Sequence, residues 1–278
     1  MTRNAGILLL VVLGLTPVRA QEETSYLDIV KTEHKLAGLF TKLYNPENIG
    51  DKTPVYDSIK WMFYEVLKDP ASFDFPWHEL DMIGKMKSDD QALNVYSWYH
   101  MVNREKYHYV TLLQVKDRRD RIHVFMLEDT DSDLNDSREL EQDLENWHGK
   151  LYYQLITKRY RRENYYTLLG IDFNNSQSTL KAVEMITIRR NGTPVFEKNG
   201  FMLADGSKNR VIFQYSGKLA MSLRYNKRLN QIVFDHLVPL HPIYTGNYQF
   251  YGPDGSYDGL AFEDGVWVLR TDVDARND

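Results

Sequence analysis

Residues 151–172 read LYYQLITKRYRRENYYTLLGID. Two runs rich in tyrosine, leucine and isoleucine, 151–157 and 165–171, flank the basic stretch Lys158-Arg159-Tyr160-Arg161-Arg162. Aromatic and β-branched side chains fit a pleated, half-buried surface, so two such runs joined by a short polar interruption predict a hairpin with an exposed turn. The unit recurs along the chain. Runs of the same kind occupy 94–99, 107–115 and 122–127 upstream, and 183–189, 210–215, 221–225 and 231–236 downstream. Their spacing predicts an antiparallel meander. Arg118-Arg119-Asp120-Arg121 reads as a second exposed basic turn, and Asn191-Gly192 and Asp264-Gly265 can adopt the positive φ angles of tight hairpin turns.

The first quarter of the chain has a different period. Ile29, Leu36, Leu39, Phe40 and Leu43 recur at three- and four-residue steps and predict an amphipathic helix over about 25–43, with Ser25 and Asp28 placed like a capping box. After Asn45-Pro46, Thr53-Pro54 reads as an N-cap with proline at the first helical position; Val55, Ile59, Met62, Phe63 and Val66 form the apolar face of a helix over about 54–68, which Pro70 stops. A third helix is predicted over 137–147 from Leu140, Leu144 and Trp147, between a cap at Asp136 and a stop at Gly149. The fold class that follows is mainly β with an N-terminal helical hairpin (α+β), its meander forming a sandwich, a barrel or a small propeller-like body. No Gly/Ser-rich linker divides it, so 21–278 reads as a single β-rich domain.

Residues 1–20 read as a secretory signal peptide. Arg3 is followed by an almost unbroken apolar stretch over 5–15, and Val18-Arg19-Ala20 offers a cleavage site before acidic Gln21-Glu22-Glu23. The apolar run is too short for a membrane span, and no later segment approaches the roughly 20 apolar residues that crossing requires. The full chain of 278 residues carries 34 Lys and Arg against 39 Asp and Glu. Removing Arg3 and Arg19 with the leader leaves 32 against 39, a net charge of −7 that repels phosphate backbones and argues against nucleic acid as a partner. There is no cysteine, which excludes disulfides, thiol nucleophiles, iron–sulfur sites and a lipoprotein anchor. An exported chain without disulfides fits a bacterial periplasmic or secreted protein.

The search for chemistry is mostly negative. The chain holds no G-x-S-x-G elbow, no H-E-x-x-H, no P-loop and no dinucleotide glycine fingerprint, and its eight histidines are scattered. The best local candidate is Asp254-Gly255-Ser256-Tyr257-Asp258-Gly259, where Asp254, Ser256 and Asp258 alternate like the first half of a calcium loop. The twelfth position of that loop is Gly265 instead of the bidentate glutamate, so consecutive β-turns compete with Ca2+ binding as its explanation, and no other cofactor is indicated. Asp129, Asp131 and Asp133 form a second acidic group, but Leu134 stands where a calcium loop needs glycine.

Aromatic content is the most distinctive feature, with 19 Tyr, 12 Phe and 5 Trp. Such rings bury area at low entropic cost and can form flat contact surfaces, although strand packing uses the same residues. Trp98, Trp147, Tyr251, Tyr257 and Trp267 are the candidates for a ligand-binding surface. The expected activity is therefore a non-enzymatic binding or assembly module that contacts a glycan, a peptide or an envelope protein. A secreted hydrolase using paired carboxylates around Asp254 and Asp258 is the alternative.

Several stretches also carry a family resemblance: Ser72-Phe73-Asp74-Phe75-Pro76, Trp147-His148-Gly149-Lys150-Leu151-Tyr152-Tyr153, Tyr165-Tyr166-Thr167-Leu168-Leu169-Gly170, Met221-Ser222-Leu223-Arg224-Tyr225, Ile232-Val233-Phe234-Asp235-His236-Leu237, Tyr251-Gly252-Pro253-Asp254 and Asp272-Val273-Asp274-Ala275-Arg276-Asn277. From Ser72 to Asn277 the chain resembles an uncharacterised family of exported proteins of Bacteroidetes-type bacteria. The resemblance implies an envelope or secreted location and brings no activity and no catalytic residues. The chain departs from the pattern at Ile171, where tryptophan is expected, and at Gly255, where a bulky aromatic is expected.

Overall fold

The computed structural model describes residues 17–47, 50–103, 106–129 and 142–275. Two helices come first, α1 (Pro17–Tyr44) and α2 (Thr53–Val66). The strands then form three sheets. Sheet one is an antiparallel meander of β1 (Gly84–Lys87), β2 (Leu93–Asn103), β3 (Lys106–Lys116) and β4 (Ile122–Glu128). Sheet two contains β5 (Leu151–Tyr160), β6 (Glu163–Asp172), β7 (Ser178–Ile188) and β11 (Arg210–Ser216) in the order β11-β7-β6-β5, with β8 (Pro194–Phe196) added to β7. Sheet three runs β10 (Gly206–Lys208), β9 (Phe201–Leu203), β15 (Val266–Arg270), β14 (Tyr251–Glu263), β13 (Gln231–Pro239), β12 (Leu223–Asn226), and only its β15–β9 pair is parallel.

Period-two alternation stacks these sheets into layers. On β2, Tyr96 and Trp98 join Phe40, Ile59 and Phe63 under the helices, while Leu93 and Val95 point the other way and meet Tyr166, Leu168 and Ile186 of sheet two. The opposite face of sheet two contributes Leu169, Val183 and Met185 to a third core, closed by Phe201, Ile232, Leu260 and Trp267 of sheet three. Sheet two is thus covered on both faces, which explains why its central strand carries the unbroken buried run Tyr166–Gly170. The architecture is a layered sandwich: helices, sheet one, sheet two, sheet three. Among the described residues no sheet closes on itself, so the barrel is not formed, and three separate interlayer cores replace one common interior.

Several local expectations change. α1 begins at Pro17, not near Ser25, because Pro17 suits a first helical turn and the following Arg, Ala, Gln and Glu propagate helix well. Ser25 is consequently inside the helix, where its hydroxyl donates to the Asp69 carboxylate instead of capping. The N-cap of α2 is Lys52, and Asp51 supplies the capping interaction by accepting the Thr53 N–H at 2.9 Å. Of the helix predicted over 137–147, residues 137–141 lie outside the described residues, as do Asp131 and Asp133. Residues 142–147 are a bend, because the Asp143 carboxylate accepts the N–H groups of Glu145 and Asn146 at 2.8 and 2.7 Å and offers the backbone an alternative to helix. No helix of the described residues is long and apolar enough to cross a membrane.

Candidate functional site

The three tryptophans proposed for a binding surface lie in the interlayer cores. Trp98, Trp147 and Trp267 are each 0% exposed. Alternation sends Trp98 toward the helices, and the indole N–H groups of Trp147 and Trp267 donate to the Tyr152 and Thr167 hydroxyls at 3.0 and 2.8 Å. Rings enclosed in this way offer no face to a ligand. Tyr257 is half-buried on β14 opposite Asp235. Tyr251 is half-buried at the head of β14 and packs on Tyr248 in an aromatic loop that also stacks Tyr244 on Phe250 at 4.4 Å.

The calcium-like group is also committed elsewhere. The Asp254 carboxylate accepts the N–H and hydroxyl of Ser256 at 2.9 and 2.7 Å, with Gly255 at φ +91° completing the turn. Asp258 accepts from His236 Nδ1 at 2.7 Å and from the Asp272 N–H at 3.2 Å. Among the described residues no three His, Asp or Glu side chains form a group able to hold a metal ion. The hydrogen bonds from Ser256 hold the Asp254 carboxyl below its usual range, the opposite of what a general acid for glycoside hydrolysis needs.

A charged network is buried between sheets one and two. Glu184 of β7 lies opposite Arg210 of β11, accepts from Lys150 Nζ at 3.0 Å and accepts a hydrogen bond from the Tyr152 hydroxyl on its other oxygen. Arg210 Nη1 stands 3.9 Å from the same carboxylate and donates to Gln142 at 2.8 Å. Burial opposes ionisation of Glu184, but Lys150 and Arg210 overcome it and hold the carboxyl below its usual range. Burial also pulls the Lys150 ammonium down, and burial together with Lys150 and Arg210 lowers the neighbouring His148 to about 4. Gly170 leaves room for this lysine: a Cβ there would stand 3.0 Å from its Cγ and Cδ. The network is enclosed, and it ties β5, β7 and β11 of sheet two together on the face turned toward sheet one.

The concave polar site lies where the hairpin turns of sheets one and two meet. It is a cavity of about 410 Å3, and the bend after β1, the β3–β4 turn, the β5–β6 turn and the β7–β8 turn all contribute to it. Asp90 lines it, and its Oδ2 accepts from Asn164 Nδ2 at 2.5 Å and from the Tyr166 hydroxyl at 2.6 Å, tying the β1–β2 bend to β6. One wall is the β3–β4 turn. The Asp117 carboxylate, 2% exposed, accepts the Arg119 and Arg121 N–H groups at 2.8 and 3.0 Å and the Arg121 guanidinium and His123 ring at 2.7 to 3.1 Å. Burial works against its charge, but these donors outweigh it and keep the carboxyl far below its usual range. The β7–β8 turn closes against the same wall, since a Cβ on Gly192 would stand 2.6 Å from His123.

Four arginines reach this cavity from three turns: Arg118, Arg162, Arg189 and Arg190. All four are exposed, and among the described residues none has an ion-pair or hydrogen-bond partner for its guanidinium. Arg162 sits in a strained turn. It and Arg161 have φ of +71° and +46° between the paired Tyr160 and Glu163, a two-residue hairpin turn that asparagine and glycine occupy far more easily. Arg161 folds over the Tyr160 ring, 5.1 Å from its centroid, and leaves Arg162 to the cavity. An acidic chain therefore gathers four unpaired guanidinium groups at one concavity, with the exposed Glu163 carboxylate among them, and grouped guanidinium groups bind oxyanions through charge-assisted hydrogen bonds.

Sequence reasoning placed two of these basic runs in turns but assigned them to the solvated surface. A signal was present, because Arg118-Arg119, Arg161-Arg162 and Arg189-Arg190 are three Arg-Arg pairs, each at a hairpin turn. No protein-family model matches the chain, and neither does the sequence of any curated protein or any solved structure.

Proposed function

We propose that this chain is an exported binding protein of the bacterial periplasm or exterior, and that its contact site is the arginine cleft, not an aromatic β-surface. Export rests on the leader over 1–20 and on the family resemblance. Binding rests on one observation: four guanidinium groups without carboxylate partners surround a single cavity of about 410 Å3, a volume within the range of about 300–1,000 Å3 that small-ligand sites occupy. The ligand class is an oxyanion carrier, bearing carboxylate, phosphate or sulfate. No nucleophile–base pair or metal-ligating cluster accompanies the arginines among the described residues lining the cavity, which favours binding without turnover.

Chromatography on immobilised heparin and on immobilised polyphosphate tests the reading. The purified protein, net acidic, is retained on at least one matrix at low salt and released as salt rises. The triple variant Arg118→Ala, Arg189→Ala, Arg190→Ala passes through, with an unchanged circular-dichroism melt showing that it folds. Equal retention of the variant, or no retention of the parent, overturns the proposal. N-terminal sequencing after expression in a Gram-negative host tests export, with Gln21 as the expected first residue; an intact Met1 in the cytosolic fraction contradicts it.

A further inference from the structure

Resting on the reading of the cleft as an oxyanion site, we infer that its ligand is an acidic saccharide, a sugar unit carrying carboxylate or sulfate together with free hydroxyls. The inference comes from what stands among the arginines. Glu163 lines the same cavity, is exposed, and among the described residues has no ion-pair or hydrogen-bond partner for its carboxylate. A site evolved for a bare anion gains nothing from an unneutralised carboxylate, which repels the ligand. A ligand that brings hydrogen-bond donors alongside its negative charge turns that carboxylate into an acceptor, and hydroxyl groups on a ring do this.

Two further features agree. The cavity is several times the size of a phosphate or sulfate ion, so a lone oxyanion would leave most of it to water; a value near 410 Å3 suits a mono- or disaccharide. Part of the lining is also already tied in place. Asp90 Oδ2 accepts from Asn164 and Tyr166, so these three lining side chains are held in place before a ligand arrives. Fixed acceptors and donors reduce the ordering cost of binding a small hydroxylated ligand. The arginines supply charge-paired hydrogen bonds, and Glu163 among them supplies an acceptor for hydroxyl groups.

The test is calorimetric titration with matched probes: trigalacturonate, a sulfated disaccharide of chondroitin, neutral galactotriose, inorganic phosphate, an acidic hexapeptide and a short oligonucleotide. An acidic saccharide should bind at least about tenfold more tightly than phosphate, the neutral sugar, the peptide or the oligonucleotide. Arg189→Ala with Arg190→Ala should lower that affinity by about tenfold or more. Glu163→Gln separates the two levels of the reading: it should weaken the acidic saccharide while strengthening phosphate, because repulsion is removed and an acceptor is weakened. If phosphate, peptide or oligonucleotide binds as tightly as the acidic saccharides and Glu163→Gln strengthens all of them alike, the saccharide inference fails and the oxyanion site stands. If no anionic probe binds, both fall. Because Arg189, Arg190 and Glu163 are exposed, an unchanged melting curve for each variant accompanies the titrations.

Discussion

Glu184 shows what single side chains contribute to this molecule. Its carboxylate pairs with Lys150 and stands 3.9 Å from Arg210, and all three are buried, so removing its charge takes away an anion that both cations face in a low-dielectric interlayer. Glu184→Gln should cost roughly 3–5 kcal/mol, seen as a lowered urea midpoint with an unchanged slope, because the loss is one of buried charge pairing and not of surface area. A change below about 1 kcal/mol would mean that water reaches the network. The Arg161-Arg162 turn predicts the opposite sign. Replacing the pair with Asn-Gly places residues that tolerate positive φ where two arginines are strained, so thermal stability should rise, by roughly 1–2 kcal/mol. The same substitution removes Arg162 from the cleft, so retention on the polyanion matrices should fall. Stability and binding moving together in either direction would show that the turn does not trade one for the other.

Among the elements, the β13–β14 pair carries a bulge at His236, where the register shifts between Asp235 and Leu237. The His236 ring bonds Asp258, and Asp258 also accepts the Asp272 N–H, so this pair anchors the segment after β15. The hydrogen bond to Asp258, with the charges of Asp258 and its neighbours, raises the His236 pKa above the ordinary value near 6.5. A histidine raised on folding contributes stability that is complete below the unfolded pKa and is lost as pH rises through the folded one. The stability difference between the parent and His236→Gln should therefore be largest below about pH 6.5 and disappear at higher pH. A difference that is constant across pH 5 to 9 would assign the effect to packing. The elements also mark what could be read beforehand. Strands announced themselves through tyrosine, valine and isoleucine runs, and Asp264-Gly265 forms the expected turn with both φ angles positive. Asn191-Gly192 makes a looser turn in which only Gly192 is left-handed. The bend at 142–147 was hidden because Leu144 and Trp147 keep a helical spacing, while one aspartate, Asp143, decides the backbone locally.

At the scale of the whole molecule, layering decides which residues can act. Period-two patterning tells that a strand has an inside and an outside, but in a three-sheet stack the strands of sheet two have two insides. Trp147 and Trp267, which looked available for a ligand, are enclosed on its two faces, in the second and third interlayers. The cleft was illegible for a related reason: Arg118, Arg162 and Arg189 are far apart in sequence, and only the stacking of sheet one on sheet two brings their turns to one rim. The central claim is that this rim is the contact surface. Hydrogen–deuterium exchange of the full protein, with and without saturating heparin oligosaccharide, tests it most directly. Protection should appear in the turns at 116–121, 161–164 and 187–192, with the aromatic loop at 240–251 unchanged; protection confined to 240–251, with those three turns unaffected, would contradict it.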